Sequence, residues 1–195
     1  IILFFAVYKI ASMKKIVLFA SGSGTNAENI ILYFNQKLTA KVVSVFCNNP
    51  NAKVLDRAKK HHVPTVVFSK EELNSGFVLN KLEEYKPDLI VLAGFLWQFP
   101  ASIIEKYPNS IINIHPALLP KYGGKGMYGM HVHVAVLENN EPETGITIHH
   151  VNEHYDEGYI VFQQSVKIDD CKTPEEIAVK IHELEHKHFP IVIEE

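Results

Sequence analysis

The sequence predicts an α/β fold, in which a single doubly wound, mainly parallel sheet carries helices on both faces and ends in a C-terminal β-hairpin and helix. Three observations support this prediction. Apolar runs alternate with helical stretches through residues 14–115, which is the pattern of βαβ units. A glycine-rich turn directly follows the first run. The fifth run stops at Pro116, and a different pattern follows.

Five strands are expected in the parallel part of the sheet. The first run is almost continuously apolar and ends in a glycine turn, which indicates a strand buried on both faces. The predicted strands are KKIVLFA (14–20), KVVSVFC (41–47), TVVF (65–68), DLIVLAG (88–94) and SIINIH (110–115).

Helices are expected between these strands and at the end of the chain. Thr173 predicts the start of the last helix, since Pro174 follows at its first turn and Glu176 lies three residues after the cap. The other predicted helices are 26–38, 52–62, 76–85, 101–107 and 131–140.

The chain after Pro116 departs from the simple alternation. Residues 117–130 are glycine-rich and predict a long ordered loop, while residues 144–151 and 159–168 alternate enough to be strands. We find no internal repeat and no low-complexity linker. Residues 13–195 are therefore expected to form a single domain.

The first twelve residues, IILFFAVYKIAS, are expected to be an upstream extension outside the fold. Their apolar run is too short to span a bilayer and has no basic residue before it. Met13 follows directly, and MKKIVLF resembles a natural start. An edge strand and a remnant of a targeting segment are the alternatives.

Composition argues against several classes of partner. The chain has 195 residues, of which 47% are hydrophobic and 21% charged, and a formal net charge of −3. No basic stripe of the kind that nucleic acid requires is present, and no membrane partner is expected. The two cysteines, Cys47 and Cys171, form no CxxC pair, which is typical of reduced thiols in a cytoplasmic protein.

The stretch SGSGTNA after the first strand predicts a phosphate site. Gly22, Gly24 and Ala27 satisfy G-x-G-x-x-A, in which glycines let backbone N–H groups approach a phosphate at a helix N-terminus. A dinucleotide enzyme would carry an acidic residue after the second strand, where Asn48 and Asn49 stand instead. A monophosphate is therefore favoured, and a tight turn without a ligand is the alternative.

Asn113 and His115 form a second candidate motif at the end of the fifth strand. Because successive strand residues point to opposite faces, these two side chains share one face. Pro116 cannot continue a central strand, so His115 lies at the carboxyl edge, where open α/β sheets bind ligands. The glycine turn opens onto the same edge. The alternative is a pair of core side chains satisfied by backbone groups.

Asp156 lies in a turn of the stretch HVNEHYDEGYIV and is the third candidate. The functional interpretation is that its carboxylate reaches His115, raises the pKa of the imidazole and favours the imidazolium. The alternative is a simple Asx turn.

The eleven histidines do not predict a metal site. His131 and His133 lie two apart on a predicted helix and so face apart. His149 and His150 are adjacent in a predicted strand and point to opposite faces. No closed zinc spacing results, and we expect no metal.

The stretches FASGSGTN, VLAGF, INIHPALLPKY, TGITIHHV and YDEG, in this order, resemble the folate-dependent glycinamide ribonucleotide formyltransferases. The resemblance extends from Met13 to nearly the end of the chain. NIHPALLP alone is less specific, because methionyl-tRNA formyltransferases and formyltetrahydrofolate deformylases carry a similar run. The glycine loop favours the ribonucleotide enzymes.

This resemblance implies a formyltransferase fold of Rossmann type and the transfer of a formyl group from 10-formyltetrahydrofolate to the amine of glycinamide ribonucleotide. Asn113 and a protonated His115 would then stabilise the oxyanion of the tetrahedral intermediate, and His115 would pass a proton to the leaving nitrogen. Asp156 would keep His115 charged and oriented. The implied partners are small molecules, for a monomer or homodimer.

The resemblance also implies binding residues, with the ribonucleotide phosphate in the N-terminal half and the folate in the C-terminal half. For the ribonucleotide these are Gly24, Thr25, Asn26, His182, Glu183, Leu184 and Glu185, with Glu185 on the amine. For the folate they are Lys70, Leu96, Trp97, Gln98, Phe99, Asn113, Asn152, Glu153, His154, Tyr155 and Asp156.

Three departures from the family are visible. Many members carry Met-Arg where this chain has Leu96, Trp97 and Gln98, some carry Gln at the position of His182, and the loop GGKGMYGM is longer than in several relatives.

Two alternative functions stay open at this point. One is a hydrolase that releases formate from the folate, and the other is a non-catalytic module that binds sugar phosphates.

Overall fold

A computed structural model describes residues 13–195 of the chain, and the interpretation of residues 1–12 as an extension lies outside this range. The described residues contain a seven-stranded sheet with the order β3-β2-β1-β4-β5-β6-β7. The strands are β1 Lys14–Ala20, β2 Ala40–Cys47, β3 Thr65–Val67, β4 Leu89–Leu92, β5 Ile111–His115, β6 Glu143–His150 and β7 Ile160–Lys167.

The strand order confirms the predicted fold class. β3, β2, β1, β4 and β5 run parallel. The chain first builds outward from β1 through β2 to β3, then returns to place β4 on the other side of β1. This reversal creates a crevice at the carboxyl ends of β1 and β4, where doubly wound sheets bind ligands.

The predicted C-terminal hairpin joins the same sheet. β6 pairs antiparallel with β5, and β7 pairs antiparallel with β6. The pairing places Asn113 of β5 opposite His149 of β6, so two polar side chains meet next to the crevice.

The helices are α1 Thr25–Lys37, α2 Lys53–Lys60, α3 Lys70–Asn74, α4 Phe77–Tyr85, α5 Ala101–Lys106, α6 Met130–Glu138 and α7 Pro174–Glu194. The predicted capping box of the last helix is present, since Thr173 Oγ1 accepts from the Glu176 N–H and the Glu176 carboxylate accepts from the Thr173 N–H. The prediction missed the short helix α3. A second capping box, Ser69 with Glu72, begins it.

The core lies on both faces of the sheet. From β1, Ile16 and Leu18 pack with the apolar sides of α1, α6 and α7, while Val17 and Phe19 pack on the opposite face. Phe19 meets Phe46, Phe68, Phe95 and Phe99 there. The first strand is therefore buried on both faces, as its continuous apolar run predicted. Among the helices of residues 13–195, none is both long and apolar enough to cross a bilayer.

Candidate active site

A cavity of about 570 Å³ opens at the carboxyl edge of the sheet. Its walls are the segments that follow β1, β4 and β5, together with the glycine-rich loop 124–129 and the turn between β6 and β7. His182 and Glu185 of α7 close one side. The motifs that the sequence placed on one rim therefore meet in one cavity.

The glycine loop after β1 ends in an uncapped helix. Gly24 is the N-cap of α1 with φ 74°, and no side chain from residues 13–195 caps the first-turn N–H groups. A Cβ on Gly24 would lie 2.4 Å from the Val54 side chain of α2, so both the backbone angle and the packing require glycine. The free N–H groups and the helix dipole make this end of the cavity suited to an anion.

Asn113 and His115 lie on the same side of β5 and are connected through two further residues. Asn113 Nδ2 lies 3.1 Å from His149 Nε2, and His149 Nε2 lies 3.5 Å from Asp156 Oδ1. The other oxygen of Asp156, Oδ2, lies 3.5 Å from His115 Nδ1. The three residues predicted from distant stretches are therefore adjacent, and His149 joins them.

The hydrogen bonds of the rings indicate where protons sit. His115 Nε2–H donates to the Tyr122 carbonyl at 2.7 Å, and His149 Nδ1–H donates to the His150 carbonyl at 2.8 Å, because carbonyls only accept. The Asn113 amide has two hydrogens, and His149 Nε2 can accept only one of them. One amide hydrogen of Asn113 is left for another partner.

The expectation that Asp156 raises the pKa of His115 and keeps the ring charged is wrong, because the net shift of this pKa is downward. Burial lowers the pKa of His115 below its ordinary value, and the carboxylate of Asp156 and the Tyr122 carbonyl offset only part of that effect. His115 is 3% exposed, so the loss of hydration is nearly complete. The ring is therefore neutral near pH 7, with acceptors waiting at both nitrogens.

Asp156 is held as a carboxylate. Burial raises the pKa of this carboxyl, but the contacts with His149 and His115 and the hydrogen bond from the Gly124 N–H, at 2.9 Å, outweigh burial and lower the pKa below its ordinary value. Its backbone has φ 58°, in the left-handed region that few non-glycine residues adopt. Close packing fixes this turn, because a Cβ on Gly158 would lie 1.6 Å from the His150 carbonyl oxygen.

Glu185 is a second buried acid in the cavity. It is 5% exposed, and burial raises its pKa, although the hydrogen bond from Asn26 and the charge of His182 act in the opposite direction. Asn26 Nδ2 donates to Glu185 Oε2 at 2.8 Å. Asn26 Oδ1 is buried and has no hydrogen-bond partner within residues 13–195, so this edge of the cavity retains a free acceptor.

His133 of α6 also lines the cavity, a position that was not predicted from the sequence, where His133 was weighed only as a metal ligand. Burial, with the neighbouring His182 and His115, lowers the pKa of His133 to about 4. Its Nδ1 is buried without a hydrogen-bond partner among the described residues. The place of His149 in this network follows from the β5–β6 register, which sets it opposite Asn113 and which the sequence does not state.

Most of the expected ligand-binding residues line the cavity. These are Gly24, Thr25, Asn26, Leu96, Trp97, Gln98, Phe99, Asn113, Asn152, Tyr155, Asp156, His182 and Glu185. Five others do not line it, namely Lys70, Glu153, His154, Glu183 and Leu184. Their role in binding stays a prediction.

The segment of residues 96–99 is anchored to both neighbouring loops. The Leu96 N–H donates to Ser21 Oγ at 3.1 Å, and Gln98 Nε2 donates to the Glu153 carbonyl at 2.8 Å. Phe99 is 4% exposed and belongs largely to the core. Backbone groups and Trp97 are therefore the parts of this segment best suited to a flat ligand. Residues 13–195 contain no cluster of three or more side chains that could hold a metal ion.

Comparisons with known proteins agree with the geometry. The profile of the formyl transferase family matches residues 14–193. The phosphoribosylglycinamide formyltransferase of Bacillus subtilis is 35% identical over 189 residues, which cover 94% of each chain. The chloroplastic enzyme of that name from Arabidopsis thaliana is 37% identical, and the match covers 92% of this chain but 64% of the relative.

Solved structures give the same result. The phosphoribosylglycinamide formyltransferase of Bacillus halodurans has a TM-score of 0.84 at 34% identity, with 93% of this chain and 94% of that chain covered. The enzyme of that name from Coxiella burnetii, solved in complex with CHES, has a TM-score of 0.85 at 33% identity, with 93% of this chain and 86% of that chain covered. In sequence and fold, this chain belongs to the formyl transferase family.

Proposed function

We propose that this protein transfers the formyl group of 10-formyltetrahydrofolate to the amine of glycinamide ribonucleotide, a step of purine synthesis. One observation carries the proposal. Asn113, His115 and Asp156 converge in one cavity, between an uncapped helix N-terminus and the segment of residues 96–99. The bacterial relatives matched along nearly their whole length bear the name of this activity.

The ribonucleotide fits the side of the cavity formed by α1 and α7. The N–H groups of Gly24, Thr25 and Asn26 suit the phosphate dianion. Glu185 lies beside Asn26 and accepts a hydrogen bond from it, which leaves a buried carboxyl near the place of the glycinamide amine. A carboxyl whose pKa is raised by burial can accept a proton or a hydrogen bond from that amine near neutral pH.

The folate fits the side formed by the segment of residues 96–99 and the β6–β7 turn. Apolar walls suit a flat pterin, and backbone groups can bind its polar edge. Gln98 bridges the two segments through the Glu153 carbonyl, so they form one continuous wall. In this arrangement the formyl carbon lies over Asn113 and His115.

The chemistry requires a donor for the oxyanion and a site for one proton. Attack of the amine on the formyl carbon forms a C–N bond and places negative charge on the formyl oxygen. The free amide hydrogen of Asn113 can donate to that oxygen. The attacking amine loses a proton, and the folate nitrogen gains one when its bond to the formyl carbon breaks.

His115 suits the transfer of that proton because it is neutral before the reaction. Protonation of the second nitrogen gives the ring two N–H groups, and each has an acceptor, the Tyr122 carbonyl and the Asp156 carboxylate. Burial disfavours the charged ring and Asp156 stabilises it, so the proton is held only briefly. In this scheme Asp156 stabilises the imidazolium that exists while His115 holds the transferred proton.

The test combines the protein with 10-formyltetrahydrofolate in the presence and in the absence of glycinamide ribonucleotide. Formyl transfer that requires the ribonucleotide supports the proposal. Release of formate without the acceptor would identify a hydrolase instead, and no turnover in either mixture would point to a non-catalytic sugar-phosphate module.

A variant pair tests the role of His115. His115→Asn is expected to lower kcat by about 10²- to 10⁴-fold, the usual contribution of a group that transfers a proton, and to leave ribonucleotide affinity nearly unchanged, because the phosphate loop is separate. His62→Asn changes an exposed histidine at the end of α2 and serves as the matched control. A loss of ribonucleotide binding as large as the loss of rate would contradict the separation of the two roles.

A further inference from the structure

Helix α2 holds the outer side of the phosphate loop through two hydrogen bonds. The Val54 N–H donates to the Gly22 carbonyl at 3.2 Å, and Arg57 Nε donates to the Ser23 carbonyl at 2.9 Å. Gly24 lies directly against Val54, where no side chain would fit. Two consecutive carbonyls of the loop are thus turned toward α2.

This arrangement fixes the direction of the next two N–H groups. In a trans peptide the C=O and the following N–H point in opposite directions within one plane. The only cis peptide among the described residues is Leu119–Pro120, so the peptides after Gly22 and Ser23 are trans. With their carbonyls toward α2, the N–H groups of Ser23 and Gly24 point away from α2, and both residues line the cavity.

Arg57 is itself held by a cluster around Glu28. One Nη of Arg57 donates to Glu28 Oε2, His61 Nε2 lies 2.9 Å from Oε1, and Lys60 Nζ lies 3.6 Å from Oε1. The hydrogen bond from His61 lowers the pKa of Glu28, burial opposes it, and Arg57 lowers it further. Glu28 therefore stays ionised and fixes the plane of the guanidinium.

The same cluster balances charge beside the phosphate loop. Glu28 lies in the first turn of α1, where an uncompensated carboxylate would repel a phosphate at the helix N-terminus. Arg57 offsets that charge through its direct bond to Glu28, whereas Lys60, whose side chain is 72% exposed, is screened by solvent and contributes little. Arg57 does not line the cavity, so it acts through the loop and not by direct contact with the ligand.

We infer that Arg57 is a positioning residue for the phosphate of the substrate, with Glu28 orienting it. Its bond to the Ser23 carbonyl aims the Gly24 N–H into the cavity, and its charge compensates Glu28. This inference rests on the proposed function for the identity of the substrate, but the chemistry it requires is only that of a phosphate monoester.

The experiment compares Arg57→Met with Lys60→Met, which removes a charge from the same carboxylate without touching the loop. Arg57→Met is expected to raise the KM for glycinamide ribonucleotide about tenfold, the loss of one charge-assisted hydrogen bond, with kcat within about twofold of the wild type. The Kd for 10-formyltetrahydrofolate should not change. Lys60→Met should leave all three constants near those of the wild type.

Arg57→Lys separates geometry from charge. It keeps the cation but cannot bond the Ser23 carbonyl and Glu28 with a planar fork, so it should bind the ribonucleotide more weakly than the wild type. Wild-type affinity in Arg57→Lys would overturn the positioning role. An equal loss in Lys60→Met, or an equal loss of folate binding in Arg57→Met, would also overturn it.

Binding of ribose 5-phosphate, followed by calorimetry, tests the inference separately from the reaction. The expected result is a roughly tenfold weaker Kd in Arg57→Met and an unchanged Kd in Lys60→Met. If the wild type binds this probe but transfers no formyl group, the proposed function fails while the inference stands. Equal affinity of wild type and Arg57→Met for the probe would refute the inference. Should Arg57→Met not fold, Arg57→Lys gives the same comparison.

Discussion

Replacement of His133 by asparagine should make the protein more resistant to acid. The imidazole is 3% exposed, its Nδ1 has no partner within residues 13–195, and two other histidines are close, so burial lowers its pKa from 6.5 to about 4. Between pH 6.5 and about 4, the unfolded chain therefore binds a proton on this imidazole, whereas the folded protein does not. Stability from this group is complete above pH 6.5 and is lost as the pH falls to about 4.

The shift from 6.5 to about 4 corresponds to about 3 kcal/mol of unfolding free energy. Urea denaturation of wild type and His133→Asn at a series of pH values between 7.5 and 4 measures it. Since the variant has no ring to protonate, its stability relative to that of the wild type should rise by about this amount across the window. Subtraction of one profile of unfolding free energy from the other cancels the contributions of the other titrating groups.

The control is His131→Asn, which changes an exposed histidine on the same helix and should leave the profile parallel to that of the wild type. Profiles of wild type and His133→Asn that stay parallel from pH 7.5 to 4 would refute the reasoning. They would mean that His133 finds a proton acceptor or water when charged, and that the cavity wall is more polar than its contacts indicate.

Three further predictions concern the acids and the turn. Asp156→Asn should lower kcat about 10²-fold in steady-state kinetics with the ribonucleotide KM retained, because protonated His115 loses its carboxylate; unchanged kcat would contradict this. Glu185→Gln should raise the ribonucleotide KM yet melt higher than the wild type, with the difference larger at pH 8 than at pH 5. Because burial raises the pKa of Glu185, the wild-type protein loses stability as the pH rises through that pKa, and the variant does not. A difference in melting temperature that becomes smaller as the pH rises would refute this prediction. Gly158→Ala should lose about 2 kcal/mol in urea denaturation, since its Cβ would overlap the His150 carbonyl, and wild-type stability would show that the turn relaxes freely.

The sequence was sufficient for the fold because local pattern and burial agree there. The run through β1 is apolar at every position from Ile16 to Ala20, and the strand is buried on both faces as a central parallel strand must be. Pro116 and the glycine turn locate two strand ends. Once the sheet is parallel, those ends share an edge, so the meeting of Gly24 with Asn113 and His115 follows from topology.

Features that depend on tertiary contacts were not predictable. The place of His149 depends on the register of β6 on β5, and one residue of slippage would turn it to the other face. The carboxylate of Asp156 suggested a charged His115, but the sign of the net shift depends on how completely the ring is buried. The helix at Ser69 is different, because the spacing of Ser69 and Glu72 is itself a capping-box signal in the sequence.

The charge state of His115 explains why the antiparallel strands matter to function. Without the antiparallel strands, β5 would be the edge of the sheet, and His115 would lose the strand that covers it. β6 covers that edge, brings His149 opposite Asn113, and its turn carries Asp156 to the other side of the ring. The same two strands therefore remove water from the ring and supply the carboxylate that compensates for its loss. A base that is neutral at rest and stabilised once protonated is the consequence, and such a group suits the proton transfer that we propose for His115.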